Sequence, residues 1–248
     1  HGTGASSHSW DVLFQLLCRK FLVTAIDLPG HGLMQIGTKQ RNSLTHMATD
    51  ITTLCNNLQI NPDYIIGHSA GAAIALEMSK SLKLKGIIGI NSALSKFGGI
   101  ASWAFPLLAK LVMLNPFIPA YLAGLGRNPV RVERLIKETG SKLSATQLSH
   151  YKALFQDRNH VEGALLMMSQ WNLDRLLMRL DDIKTPTLFL AAERDGTVPT
   201  KVSYDIREKI LNAETILLPG LGHLAHEEKP DLVHQEIIEF ISKTYSNS

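Results

Sequence analysis

Five short apolar runs punctuate the sequence, each ending at a residue that turns the chain: "FLVTAIDLPGHG", "DYIIGHS", "LKGIIGINS", "TPTLFLAAERD" and "AETILLPGLGH". The first stops at Asp27 and Pro29-Gly30, the last at Pro219 and its glycines. Their length and β-branched content fit buried strands. Between them the period changes. From Ser43 to Leu58, the residues Leu44, Met47, Ile51, Leu54 and Leu58 recur every three or four positions, as on one face of a helix. Apolar strands alternating with amphipathic helices imply βα units, hence an α/β fold with a mostly parallel sheet covered on both faces.

The alternation lapses between about residues 95 and 184, where helical stretches follow one another without a strand. With 248 residues, 45% of them hydrophobic, the chain buries a sizeable core and reads as one domain with an insertion. The expected division is core 1–94, helical cap 95–184 and core 185–248. The most apolar part of the cap, "GGIASWAFPLLAKLVMLNPFIPAYLAGLG", is broken by Pro106, Lys110, Pro116 and Pro119, whereas a spanning helix needs about 20 continuous apolar residues. A greasy cap is the reading, with shallow contact of that cap with a membrane surface left open.

Charge and cysteines narrow the partners. The 25 basic and 22 acidic residues are scattered, so no stripe tracks a phosphate backbone and no nucleic-acid partner is expected. Cys18 and Cys55 sit in two helix-like stretches, outside any CxxC or Cys/His spacing, which predicts buried free thiols and a reducing, cytoplasmic setting. No signal peptide is visible. The first residue is His1, so the natural start is expected to lie outside this sequence.

Gly67-His68-Ser69-Ala70-Gly71 places a serine where a strand gives way to a helix. A turn that lifts a side chain above the sheet crowds the neighbouring backbone, so the positions two before and two after must be glycine-sized. The same letters also suit an ordinary tight turn. What tips the balance is company: a serine hydroxyl needs an adjacent base, and the base needs a carboxylate to hold its tautomer. Asp195 follows the strand "TLFLAAER", and His223 follows the next one in "PGLGHLAHEEKP". The order Ser, Asp, His, with each partner in a loop after a strand, is that of hydrolases with a nucleophile elbow.

Such chemistry also needs two donors for the developing oxyanion. The amide of Ala70, unpaired at the first turn of the elbow helix, is one candidate. The opening "HGTGASSHSW" supplies the other, with Thr3 as the expected donor and Gly4 as the alternative, although such a stretch also serves as a plain turn. No metal or organic cofactor is required.

HGTG, DLPGHG, GHSAG, RDGTVP and GLGHLAHEEKP together resemble the α/β-hydrolase superfamily, over almost the whole chain and in the expected order. Within it, "HGTGASSHSW", "IIGHSAGAAIAL", "LNPFIP", "TGSKL", "ALLMMSQWNL" and "LGHLAHEEKP" resemble the family of magnesium chelatase accessory proteins of bacteriochlorophyll biosynthesis. The resemblance implies a tetrapyrrole or other small-molecule substrate and magnesium chelatase subunits as partners. It also implies that the strands preceding the HG loop are absent from this chain. One of them would lie between "FLVTAID" and "DYIIGHS", and its loss predicts a gap or a repaired pairing there, at about 1–3 kcal/mol for each buried unpaired amide.

Several residues keep two readings. Ser69 in place of aspartate at the elbow points to acyl transfer rather than dehalogenase or epoxide-hydrolase chemistry, and Asn91 and Ser92 after "GIIGI" leave Asp195 without a rival acid. His68 is expected to pack under the elbow; His226, His8 and His31 are weaker candidates, and no HExxH or ligand spacing suggests a metal. Glu227 and Glu228 suit the start of a helix, and Asp27 suits a turn. Met167, Met168 and Trp171 could line a pocket for a large flat ligand, or simply pack a core.

Overall fold

The computed structural model describes residues 1–95, 115 and 117–246. Four of the five apolar runs form strands: β1 (Tyr64–His68), β2 (Gly86–Ile90), β3 (Thr187–Ala192) and β4 (Ala213–Leu218). They pair in that order, all parallel, with Ile66 opposite Ile88 and Ile88 opposite Leu188. Side chains alternate between the two faces, as a pleated backbone requires. Ile87 and Phe189 enter one core; Ile88, Ile90, Leu188 and Leu190 enter the other.

Helices cover both faces. Leu13 and Leu17 of α1 (Asp11–Leu17) join the second core, while α2 (Leu44–Asn57) and α3 (Ala70–Met78) close the first. Ser43 caps α2 by accepting the N–H of His46 at 3.4 Å. Leu44, Met47 and Ile51 are buried as their spacing predicts, but the stripe then runs through Cys55, and Leu58, beyond the helix end, is exposed.

Between β2 and β3 lie α4 (Phe117–Gly126), α5 (Pro129–Glu138), α6 (Ala145–Gln156), α7 (Arg158–Gln170) and α8 (Asp174–Leu177). Each start has a local cause. Asn128 caps α5 ahead of Pro129, Ser144 and Gln147 form a capping box on α6, and Asp157 accepts two amides at the head of α7. Ala123 of α4 packs on Val161, Leu165 and Leu166 of α7. The end of the insertion behaves differently from a cap: Leu173, Leu176 and Leu180 belong to the same core as α3. The chain finishes with α9 (Lys201–Arg207), α10 (Ala225–Glu228) and α11 (Pro230–Ser246).

Two expectations are corrected. The run "FLVTAID" is not a strand, and Leu22 is wholly exposed. A groove of about 910 Å³ separates residues 21–26 from β1, so the run has no neighbour to complete a ladder, and an unpaired strand is not stable by itself. The gap beside β1 is the one anticipated there, and it leaves Tyr64, Ile65 and Ile66 only half-buried. Cys18 is exposed rather than buried because it follows the end of α1; Cys55 is buried, and both thiols are free. Pro106, Lys110 and Pro116 lie outside the described residues, among which no helix is long and apolar enough to cross a membrane.

Candidate active site

Ser69 stands between β1 and α3 with φ 53° and ψ −115°, a conformation that costs a side-chain-bearing residue energy. The turn is over-determined by its surroundings. Ser69 N–H donates to the Ile90 carbonyl at 2.9 Å, and the Ser69 carbonyl accepts Ala72 N–H at 3.2 Å and Ala93 N–H at 3.1 Å. A Cβ on Gly67 would lie 2.4 Å from the Gly71 carbonyl carbon, and one on Gly71 would lie 2.8 Å from the His1 oxygen. Both glycines are therefore required by backbone approach.

Asp195 follows β3 and His223 follows β4. Asp195 Oδ1 accepts the amides of Thr197 at 2.7 Å and Val198 at 2.8 Å, which fixes its orientation and satisfies its charge. Its Oδ2 accepts His223 Nδ1–H at 2.7 Å, with both side chains nearly out of solvent. That bond assigns the tautomer and leaves Nε2 of His223 as the basic nitrogen. Ser69 is also buried, and its Oγ makes no hydrogen bond among the described residues.

The HG loop lies directly on the elbow: a Cβ on Gly2 would be 3.0 Å from Ser69 Cβ. His1 Nε2 accepts Leu28 N–H at 2.9 Å, so its Nδ1–H donates to the Gly2 carbonyl at 2.9 Å, which also accepts Ala5 N–H at 3.1 Å. In a trans peptide the next N–H points the opposite way, which turns the Thr3 amide away from those partners. His160 accepts Gly32 N–H at 3.1 Å through Nδ1 and donates from Nε2 to the Gly4 carbonyl at 3.1 Å, tying the loop to α7.

His68 is buried under the elbow and donates from Nε2 to the carbonyl of His223 at 2.8 Å. Burial, with His226 and His223 alongside, holds it well below the ordinary histidine range and hence neutral. His226, 4.5 Å from His68 ring to ring, is neutral for the same reason. Neither adds a positive charge beside His223. Burial also lowers His8 to about 4 and His31 to about 3, the latter in ring contact with His1 and His160. No group of three or more potential ligands among the described residues is arranged to hold a metal.

Several residues singled out in the sequence take further partners. Glu227 and Glu228 do more than favour a helix start: Tyr151 donates to Glu227 at 2.5 Å, and Glu228 accepts the amides of Gly222 at 2.8 Å and Lys142 at 3.0 Å. Asp27 accepts Leu33 N–H within its turn and also Ser7 N–H. Met167 and Trp171 pack in the same core as α3, and Met168 packs in a neighbouring cluster. Met167 is fully buried and receives the Thr3 hydroxyl at 3.4 Å, and Met168 lies in the α4–α7 cluster. Sequence reasoning missed Asn91 as a partner. Considered only as a missing acid, it donates from Nδ2 to the carbonyls of Gly222 at 3.1 Å and His223 at 2.8 Å.

A parallel sheet with an insertion after β2, a strained serine between β1 and α3, and loops after β3 and β4 that join Asp195 to His223 define the class. The chain belongs to the α/β-hydrolase fold family, whose model matches residues 1–230. It is 36% identical over 241 residues to the magnesium-chelatase 30 kDa subunit of Rhodobacter capsulatus, spanning 97% of this chain and 84% of that protein. Among solved structures, an esterase from Thermogutta terrifontis superposes with a TM-score of 0.74 at 22% identity, covering 98% of this chain and 88% of that one. An esterase from Exiguobacterium antarcticum superposes with a TM-score of 0.75 at 15% identity, covering 98% and 90%. At such identities the two esterases speak for the fold alone.

Proposed function

We propose that the protein is a serine hydrolase that cleaves an ester or related acyl bond, acting in or assisting bacteriochlorophyll biosynthesis around the magnesium chelatase step. The observation that carries the chemistry is the buried 2.7 Å bond between His223 and Asp195, with the His223 carbonyl held at 2.8 Å by His68, the residue before the strained Ser69. Ser69 Oγ attacks the acyl carbon while its proton passes to His223 Nε2, and Asp195 orients and stabilises the resulting imidazolium. The Ala70 and Thr3 amides, with Gly4 as the alternative, receive the oxyanion. Collapse expels the leaving oxygen with the proton from His223. Water, deprotonated by the same imidazole, then releases the acid and restores Ser69. The placement in pigment synthesis rests on the similarity to the Rhodobacter capsulatus protein.

A second reading is an accessory protein that holds a porphyrin intermediate or a chelatase subunit without catalysis. It draws on the name of that relative, a chelatase subunit. Fluorophosphonate labelling of the full-length protein, beside Ser69→Ala and His223→Ala, separates the two. Labelling of the wild type that disappears in both variants is the expected result. A folded wild type that never labels would favour the accessory role.

A further inference from the structure

The motif "TGSKL" has so far no part in the site, yet it lies between the two loops that carry Asp195 and His223. The carbonyl oxygen of Thr139, the residue that ends α5, accepts two amides: Gly196 N–H at 3.0 Å from the acid loop and His223 N–H at 3.0 Å from the histidine loop. Ser141 Oγ accepts Leu224 N–H at 2.8 Å, again from the histidine loop. Gly140 turns the chain between them at φ +81°.

The approach is too close for side chains. A Cβ on Gly140 would stand 1.9 Å from the Arg194 oxygen, one on Gly196 would stand 2.2 Å from the Glu138 oxygen, and one on Gly222 would stand 2.3 Å from the Gly140 carbonyl carbon. Three glycines from three separate segments interlock, and the flanking bonds from Lys142 and Gln147 to Glu228 and the Glu227 carbonyl seal the same edge.

We propose that Thr139–Ser141 is a positioning segment for the Asp195–His223 pair: the cap's own turn sets the spacing of the two loops through the shared Thr139 carbonyl. On the serine-hydrolase reading above, on which its catalytic consequence rests, this end of the cap is a fixed part of the active site and does not swing as a lid. A ligand that shifts α5 or α6 would act on His223 through the same contacts.

The test compares full-length wild type with Gly140→Ala and with Gly124→Ala, a cap glycine whose added methyl meets nothing within 4 Å among the described residues. Two quantities are read: the fluorophosphonate labelling rate as a function of pH, and the nitrogen NMR shifts of the His223 ring. In folded Gly140→Ala, labelling should slow by about a hundredfold, the cost of an ångström-scale misplacement. Its pH midpoint and the His223 shifts should move as well, while Gly124→Ala matches wild type. Wild-type rate, midpoint and shifts in Gly140→Ala would overturn the proposal. If Gly140→Ala does not fold, Ser141→Ala carries the same comparison through the lost Leu224 bond. If a folded wild type does not label, the hydrolase reading fails, and the His223 shifts still decide whether the turn positions the pair.

Discussion

Asn91 donates from Nδ2 to the carbonyl oxygen of His223 at 2.8 Å while its Oδ1 accepts the N–H of Ala192 at 2.7 Å. One buried amide side chain thus joins the ends of β2 and β3 to the loop that carries the proposed base. The position has φ 46°, which asparagine tolerates better than most residues. Asn91→Ala should lose these bonds and destabilise the fold by about 2–4 kcal/mol. Asn91→Asp keeps the shape but turns a donor into a charge against two carbonyls, and is expected to do more harm. Denaturant melts of the three proteins check the order; equal stability for all would remove Asn91 from this role.

Asp195→Asn keeps an oxygen for the amides of Thr197 and Val198 but presents an N–H to His223 Nδ1. The imidazole must then adopt the tautomer that places its proton on Nε2. Labelling at neutral pH should fall by about ten-thousandfold with the melting temperature little changed. A loss of less than tenfold would mean that the tautomer does not limit Ser69.

Gly67→Ala tests the elbow without touching its chemistry. The added methyl meets Gly71 backbone at 2.4 Å, and neither strand nor helix end can yield without breaking the Ser69 bonds to Ile90 and Ala93. A loss of more than about 2 kcal/mol in chemical unfolding, together with loss of labelling, is expected. Retained labelling would show that the turn relaxes more readily than its contacts indicate.

Glu227 is held at about 8, chiefly by burial, with Glu228 nearby adding to the shift and the Tyr151 hydrogen bond opposing it. Between pH 4.5 and 8 the folded protein keeps this proton and the unfolded chain releases it, so this group's contribution to stability falls as pH rises through that window. The slope is at most about 1.4 kcal/mol per pH unit. Glu227→Gln retains an acceptor for Tyr151 and removes the titration. It should be progressively more stable than wild type from pH 5 to about 8, then run parallel to it. A constant difference across that range would show that Glu227 is ionised in the fold.

Four parallel strands and the elbow glycines were legible because each has a local cause: β-branched runs stopped by turn residues, and small residues where backbone meets backbone. The run "FLVTAID" carried the same local signal and formed no strand, because a strand also needs a neighbour. Cys18 lay on an apolar pattern that ended one residue too soon to bury it.

By itself the sequence determined the order of Ser69, Asp195 and His223 and the element that each one follows, since these depend on residue type and on spacing along the chain. Tertiary structure alone decided what holds them: His68 and Asn91 on the His223 carbonyl, and the Thr139 carbonyl between the acid and histidine loops. A backbone carbonyl is the same in every residue, so it leaves no mark in the sequence. Its partners come from segments 57 to 155 residues away and are known only once the chain has folded.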